Sequence, residues 1–121
     1  MTMRPQISTM ATLLIALALP VSAQSISEAQ MRAANLARMQ AELINGGLSK
    51  YSPAKCMHEG GGGSCMVSET PQGYRFRFLG GAPGWDAKQQ PGTLETVVLV
   101  SADGKSSTVE YNGPVRPHMM P

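Results

Sequence analysis

The stretch that decides the fold of this chain reads Cys56-Met57-His58-Glu59-Gly60-Gly61-Gly62-Gly63-Ser64-Cys65. This Cys–Gly segment, residues 56–65, contains both cysteines of the chain and four consecutive glycines. Residues before it follow a helical pattern, and residues after it alternate as β-strands do. The segment therefore lies between a helical part and a β part of the chain.

The two cysteines favour a disulfide across a short hairpin. Glycine loses more conformational freedom on folding than any other residue, so four free glycines would make a costly loop. A bridge that closes a loop of about ten residues removes roughly 2.5–3 kcal/mol of unfolded-chain entropy. We therefore predict that Cys56 and Cys65 are bonded to each other.

A soft-metal site is the alternative for the same residues, because cysteine and histidine are ligands for zinc and copper. The spacing of Cys56, His58 and Cys65 matches none of the established zinc patterns. Thioethers and imidazoles could instead hold copper. Those donors are Met57, His58, Met66, His118, Met119 and Met120. Apart from this alternative, the sequence predicts no cofactor.

The first 23 residues have the layout of a secretory signal peptide. Arg4 precedes an apolar run over residues 10–19, and Val21-Ser22-Ala23 supplies the small residues of a cleavage site after Ala23. The run is shorter than the about 20 residues that span a bilayer. We expect a periplasmic or secreted product without stable membrane insertion, in a space where cysteines pair. An uncleaved membrane anchor is the alternative.

Charge and composition restrict the class of protein. Ten basic residues against eight acidic ones give a formal net charge of +2, and no basic cluster indicates a nucleic-acid partner. A hydrophobic content of 42% with 15% charged residues suits a folded domain rather than a disordered chain. We predict a single domain over residues 24–113 and a flexible tail over residues 114–121.

A helix is predicted between Ile26 and Asn45, where neither Gly nor Pro occurs. Ser25 and Glu28 have the spacing of a capping box at its start. Asn45-Gly46-Gly47 supplies residues that tolerate positive φ at its end. The side chains expected on the sheet-facing side are Ala29, Ala33, Leu36, Leu43 and Ile44.

Five strands are predicted from alternation and turn residues. Between 74 and 79, aromatic residues alternate with Arg75 and Arg77, so the aromatic set should face the helix. The expected strands are Ala54–His58, Cys65–Ser68, Tyr74–Leu79, Leu94–Val100 and Ser107–Tyr111. We expect an α+β fold in which one N-terminal helix packs on a four- or five-stranded antiparallel meander sheet.

Candidate binding residues fall in two places. Arg75 and Arg77 could hold an anionic ligand or acidic partner, or could simply be a solvated strand face. Trp85 lies in a long loop, Gly80–Gly92, and loops of this length without structure are usually functional or disordered. The indole could form a contact patch or cover the open end of the core.

A meander would bring the glycine tip and the Trp85 loop to the same end of the sheet. We therefore predict that the functional surface is a concave edge there. Its predicted residues are His58, Glu59, Trp85 and Asp86.

No catalytic pattern is recognisable in the chain. No serine stands in a Gly-x-Ser-x-Gly elbow, and His58 and Glu59 would point to opposite faces of a strand. We therefore expect a binding or accessory module rather than an enzyme, with an unknown protein or small ligand as partner. The alternatives are soft-metal binding and a small hydrolase.

Overall fold

The computed structural model describes residues 25–119, in which one helix packs on a five-stranded antiparallel sheet. The predicted α+β class is thereby confirmed. The predicted cleavage after Ala23 lies outside the described residues. The elements are α1 (Glu28–Ile44), β1 (Ser52–Pro53), β2 (Met66–Thr70), β3 (Gly73–Gly81), β4 (Leu94–Val100) and β5 (Ser107–Pro114).

The long strand β3 organises the sheet. One of its edges pairs with β4, which in turn pairs with β5. Its other edge is divided between β2, opposite residues 73–76, and β1, opposite Gly80 and Gly81. Strands β2 to β5 thus follow one another as a meander, while β1 joins the far end of β3 instead of pairing with β2.

The N-terminus of α1 is capped by Ser27, two residues later than predicted. The backbone N–H of Gln30 donates to Ser27 Oγ at 3.1 Å. The side chain of Gln30 does not close a capping box, because its Nε2 donates to the carbonyl O of Gly61 at 3.2 Å. The side chain of Gln30 therefore connects the first turn of the helix to the Cys–Gly segment.

Four alanines form the buried face of α1. These are Ala33, Ala34, Ala37 and Ala41, each at most 2% exposed. The predicted stripe was wrong at its C-terminal end, since Leu43 is 73% exposed and Ile44 is 44% exposed. Small side chains let the helix axis approach the sheet closely, and this selects the alanine face over the face with larger residues.

The predicted alternation of β3 is confirmed. Tyr74, Phe76 and Phe78 are buried on the side of the helix. Arg75 and Arg77 occupy the opposite face of the strand and are half-buried. The core therefore lies between α1 and the aromatic face of β3 and β4.

The Cys–Gly segment is not a hairpin, and the predicted strand Ala54–His58 was wrong. Residues Lys55–His58 and Gly60–Cys65 form two short 3₁₀ helices. Gly61, Gly62 and Gly63 have φ of 69°, 87° and 47°, a left-handed region that a β-strand does not use. This conformation folds the glycines back onto α1 and the core, where Gly61 and Gly62 are buried.

The predicted disulfide between Cys56 and Cys65 is present. Replacing both cysteines with alanine is expected to lower the free energy of unfolding by about 2.5–3 kcal/mol, because a loop of about ten residues regains its unfolded-chain entropy. Urea unfolding checks this value. Reductant should destabilise the wild-type protein by a similar amount and leave the double variant unchanged. Equal stability of both oxidised proteins would contradict the prediction.

The residues after β5 lie against the sheet, whereas the sequence predicted a flexible tail from residue 114. Strand β5 extends to Pro114, and a 3₁₀ turn follows at Pro117–Met119. Arg116 and His118 both bind the buried carboxylate of Glu95 on β4. These contacts place the segment up to Met119 beside β4, and the flexibility of the tail stays a prediction. Among residues 25–119, no helix is both long and apolar enough to span a bilayer.

Candidate functional site

Trp85 is buried at the end of the sheet, with 8% of its surface exposed. Its indole Nε1–H donates to the carbonyl O of Ser52 at 2.8 Å. A Cβ atom on Gly81 or Gly92 would come within 3.1 Å and 3.3 Å of indole atoms, respectively. The two glycines therefore make room for the ring, and the hydrogen bond fixes it to β1.

The loop that carries Trp85 is held by its own backbone hydrogen bonds. The N–H of Trp85 donates to Ala82 O at 3.0 Å, and the N–H of Gln90 donates to Trp85 O at 2.9 Å. The loop closes where the N–H of Thr93 donates to Gly80 O at 2.8 Å. The stretch is thus a series of turns with a defined shape, although the sequence predicted it as structureless.

A surface cavity of about 320 Å³ lies between this loop and the first 3₁₀ helix. Lys55, His58 and Asp86 supply its ionisable groups, and the indole of Trp85 forms part of its wall. The remaining lining residues are Ser52, Pro53, Gly84 and Ala87. The cavity thus combines a rigid aromatic wall with charged groups of both signs.

A second cavity, of about 360 Å³, extends from the same place toward the disulfide. It shares Lys55, Trp85 and Asp86 with the first cavity. Its other lining residues are Ala54, Cys56, Ser64, Cys65, Arg77, Phe78, Leu79 and Met119. We call the two cavities together the Trp85 cleft. Both lie in the roughly 300–1,000 Å³ range of small-molecule sites.

The structure brings three of the four predicted edge residues to this cleft, namely His58, Trp85 and Asp86. The hairpin tip that was predicted to bring them together is absent from the Cys–Gly segment. They meet because β1 pairs with the end of β3, so that the 3₁₀ helix after β1 lies beside the loop after β3. The functional role of these residues stays a prediction.

Glu59 and Arg75 are not among the residues that line the cleft. Glu59 is exposed, and its side chain lies against Gly63. Arg75 is engaged by Glu110, with Nε–Oε1 and Nη2–Oε2 distances of 2.7 Å and 2.9 Å. The hydrogen bond from Arg75 lowers the pKa of Glu110, and the same bond raises the pKa of Arg75. This pair is an internal ion pair on the sheet face.

Glu95 is the centre of a charged cluster that was not predicted from the sequence. Its side chain is fully buried and lies on the sheet face opposite α1. Oε1 accepts from the backbone N of Arg116 at 2.9 Å and from its Nε at 3.2 Å. Oε2 lies 2.8 Å from Arg116 Nη2 and 2.9 Å from His118 Nε2. Arg77 Nε is 3.7 Å from the same oxygen.

The cluster keeps the Glu95 carboxylate ionised. Burial raises the pKa of Glu95, but the hydrogen bonds from Arg116 and His118, together with the charge of Arg116, outweigh burial and hold the pKa at about 2, below its usual 4.5. Because an ionised carboxylate can only accept, Nε2 of His118 carries the proton in this contact. Arg116 also stacks on Tyr111, with its Cζ 3.5 Å from the ring centroid.

One sequence signal could have indicated the cluster. Glu95 is the only charged residue of the apolar run 94–100, and a buried carboxylate needs a cationic partner. The run does not indicate which cationic residue is the partner of Glu95. Arg116 follows 21 residues later, beyond a hairpin.

The donors proposed for a metal are spread over the described residues, and Met120 lies outside them. Met57 is buried in the core, both cysteines are in the disulfide, and His118 binds Glu95. Met66 is half-buried at the start of β2, whereas His58 is exposed at the cleft. Within the described part of the chain, no group of three or more His, Cys, Asp or Glu side chains is placed to hold a metal ion.

No protein-family model matches this chain, and no curated protein or solved structure is significantly similar to it.

Proposed function

We propose that this chain is an exported binding module that holds a small ligand in the Trp85 cleft. The observation that carries the proposal is the meeting of two cavities at Lys55, Trp85 and Asp86. The indole is already fixed by its bond to Ser52 O, so a ligand would not have to order it. Apolar walls with a few charged groups are the usual composition of small-ligand sites.

Two observations support export. The first 23 residues follow the pattern of a cleaved signal peptide. The disulfide between Cys56 and Cys65 is of the kind that persists in the periplasm or outside the cell. An exported domain near this size has a small core, so a cross-link beside its binding site also stabilises the site.

Binding is favoured over hydrolysis by the relation between the polar groups of the cleft. Ser52, His58 and Asp86 line the same cavity, which is the combination that a hydrolase uses. Within residues 25–119, no hydrogen bond connects any two of these side chains. Activation of a serine needs a base within hydrogen-bond reach. We therefore propose that these groups contact a ligand and do not activate a nucleophile.

The emission of Trp85 tests this function, because it is the only tryptophan of the chain. Small soluble fragments are titrated against the mature protein, and both the emission of Trp85 and the melting temperature are recorded. We expect fragments that change the emission and raise the melting temperature. Their affinity should change in Lys55→Gln and in Asp86→Asn, in the direction set by the charge of the fragment, and stay the same in the control Lys50→Gln. Hits that bind all four proteins equally would contradict a site in the cleft.

A further inference from the structure

Arg77 differs from its neighbour Arg75 in what its guanidinium contacts. Both lie on the face of β3 opposite the helix. Arg75 makes a two-pronged hydrogen bond with Glu110. Arg77 Nε is buried and has no hydrogen-bond partner among residues 25–119. Its side chain as a whole is about one-third exposed and lines the second cavity of the cleft.

Glu95 does not satisfy Arg77, although it is the nearest carboxylate. An ionised carboxylate has about four lone-pair positions. In Glu95 these positions are taken by three N–H groups of Arg116 and by His118. At 3.7 Å, Arg77 Nε has electrostatic contact with Glu95 Oε2 but is beyond hydrogen-bond distance. The guanidinium is therefore held near Glu95 by charge, and its Nε–H has no hydrogen-bond partner among residues 25–119.

A partly exposed guanidinium that lines a cleft is suited to an oxyanion. The planar fork of arginine matches a carboxylate with two parallel hydrogen bonds. Lys55 adds a second positive charge to the lining of the cavity. Around Glu95 the two arginines outnumber the single carboxylate, so the cluster keeps a positive balance even when His118 is neutral.

The same charges select the kind of anion. Asp86 lines the cavity, and Glu95 lies 3.7 Å from Arg77, so a doubly charged phosphate would meet two carboxylates. A carboxylate carries one charge and meets less repulsion. The disulfide, Leu79 and Met119 add apolar wall to this cavity, which suits a hydrocarbon or aromatic body.

We propose that Arg77 is the anchor for a small organic monocarboxylate whose apolar body lies along the disulfide and Trp85. The inference rests on the proposed function, since it names the ligand class of the same cleft. The terminal N–H groups of Arg77 donate to the carboxylate, its buried Nε stays beside Glu95, and Lys55 contributes charge. Arg75, on the same face, takes no part because Glu110 occupies its fork.

The probes are phenylacetate, its neutral analogue phenylacetamide, and inorganic phosphate, each titrated into the mature protein. Nitrogen–proton correlation spectra of the arginine side chains report on Arg77 Nε directly. We expect phenylacetate to shift the Arg77 Nε–H resonance in the millimolar range and to leave Arg75 unchanged. Phenylacetamide should bind at least about tenfold more weakly, since a charge-assisted hydrogen bond is lost.

Two variants make the comparison specific. Arg77→Gln should weaken phenylacetate at least about tenfold, whereas Arg75→Gln should leave its affinity within about twofold. Arg77→Lys keeps the positive charge but loses the planar guanidinium. Its affinity for phenylacetate should therefore lie between that of Arg77→Gln and that of the wild-type protein. If a variant does not fold, the titration of the wild-type protein with phenylacetate and phenylacetamide still tests whether Arg77 binds a carboxylate.

Several outcomes overturn the inference. If phenylacetate and phenylacetamide bind in the cleft with equal affinity, the inference of a carboxylate ligand is wrong, but the proposed function is unaffected. Phosphate binding as tight as phenylacetate would point to a general anion site. If none of the three probes changes the Arg77 resonance, the carboxylate inference is wrong. If, in addition, no fragment changes the emission of Trp85, the proposed function is wrong as well.

Discussion

Alanine in place of Gly62 is expected to lower the free energy of unfolding by about 3–4 kcal/mol, which combines a left-handed backbone cost with overpacking of the core. Gly62 has φ of 87°. A Cβ atom there would lie 2.6 Å from Cε1 of Phe76, a side chain that is fully buried. Relief would require Phe76 to move within the core. Urea or thermal unfolding of the purified variant measures the loss.

Gly47 offers a matched control for this substitution. Its φ of 88° is nearly the same as that of Gly62, but a Cβ atom on Gly47 would meet nothing within 4 Å. Alanine at position 47 should therefore cost only about 1 kcal/mol, the backbone contribution alone. Equal losses at the two positions would show that Gly62 does not approach the Phe76 ring.

Glutamine in place of Glu95 is expected to cost about 2–3 kcal/mol. The substitution leaves Arg77 and Arg116 facing each other without the buried carboxylate that joins them. This loss of unfolding free energy is smaller than for a fully buried ion pair, because both arginines are about one-third exposed and solvent screens their charge. Residues 115–119 should also become accessible to protease. A variant as stable and as resistant as the wild-type protein would contradict this role of Glu95.

The same carboxylate predicts how stability depends on pH. The pKa of Glu95 is about 2 in the folded protein and 4.5 ordinarily, so the folded state favours the ionised form. Its contribution, on the order of 3 kcal/mol, is present above pH 4.5 and is lost as the pH falls toward 2. The wild-type protein should therefore lose more stability than Glu95→Gln between pH 6 and pH 3. Parallel curves would contradict the low pKa.

Much of the fold is readable from local sequence. Helix α1 follows from a run without Gly or Pro that ends at Asn45-Gly46-Gly47, and the face of β3 follows from its alternating aromatic residues. Both patterns repeat with the period of their own element, so no distant contact is needed to recognise them. The disulfide could be predicted because the chain has only two cysteines.

The Cys–Gly segment and the Glu95 cluster depend on distant contacts, and their structure could not be read locally. Gly61 to Gly63 can adopt a hairpin or a left-handed turn equally well, because glycine has no Cβ. The contact with Phe76 and the bond from Gln30 to Gly61 O select the turn. Likewise, Arg116 lies beside Glu95 because β5 pairs with β4. Tertiary packing decides both features.

The candidate site was predicted in part, with a wrong reason. His58, Trp85 and Asp86 do meet at one cleft, but through the pairing of β1 with β3 and not through a hairpin tip. Arg77 was distinguished from Arg75 only by the structure, because the two residues are equivalent in the alternating pattern of the strand.

Another apolar surface of the described chain could also bind a small ligand. A groove of about 330 Å³ lies at the C-terminal end of α1. It is lined in part by Met39, Leu43 and Leu48, whose exposed fractions are 53%, 73% and 68%. A small ligand driven by apolar contact alone would prefer this groove, whereas a ligand that also needs charged partners would prefer the cleft.

Backbone amide mapping of bound fragments tests the central claim most directly. Correlation spectra of residues 24–121 are recorded with each fragment that changes the emission of Trp85, and the shifted amides are assigned along the chain. We predict that the shifts concentrate at residues 52–58 and 84–87, which border the cleft. Shifts that concentrate instead at residues 36–48, with the cleft unchanged, would contradict a ligand site at Trp85.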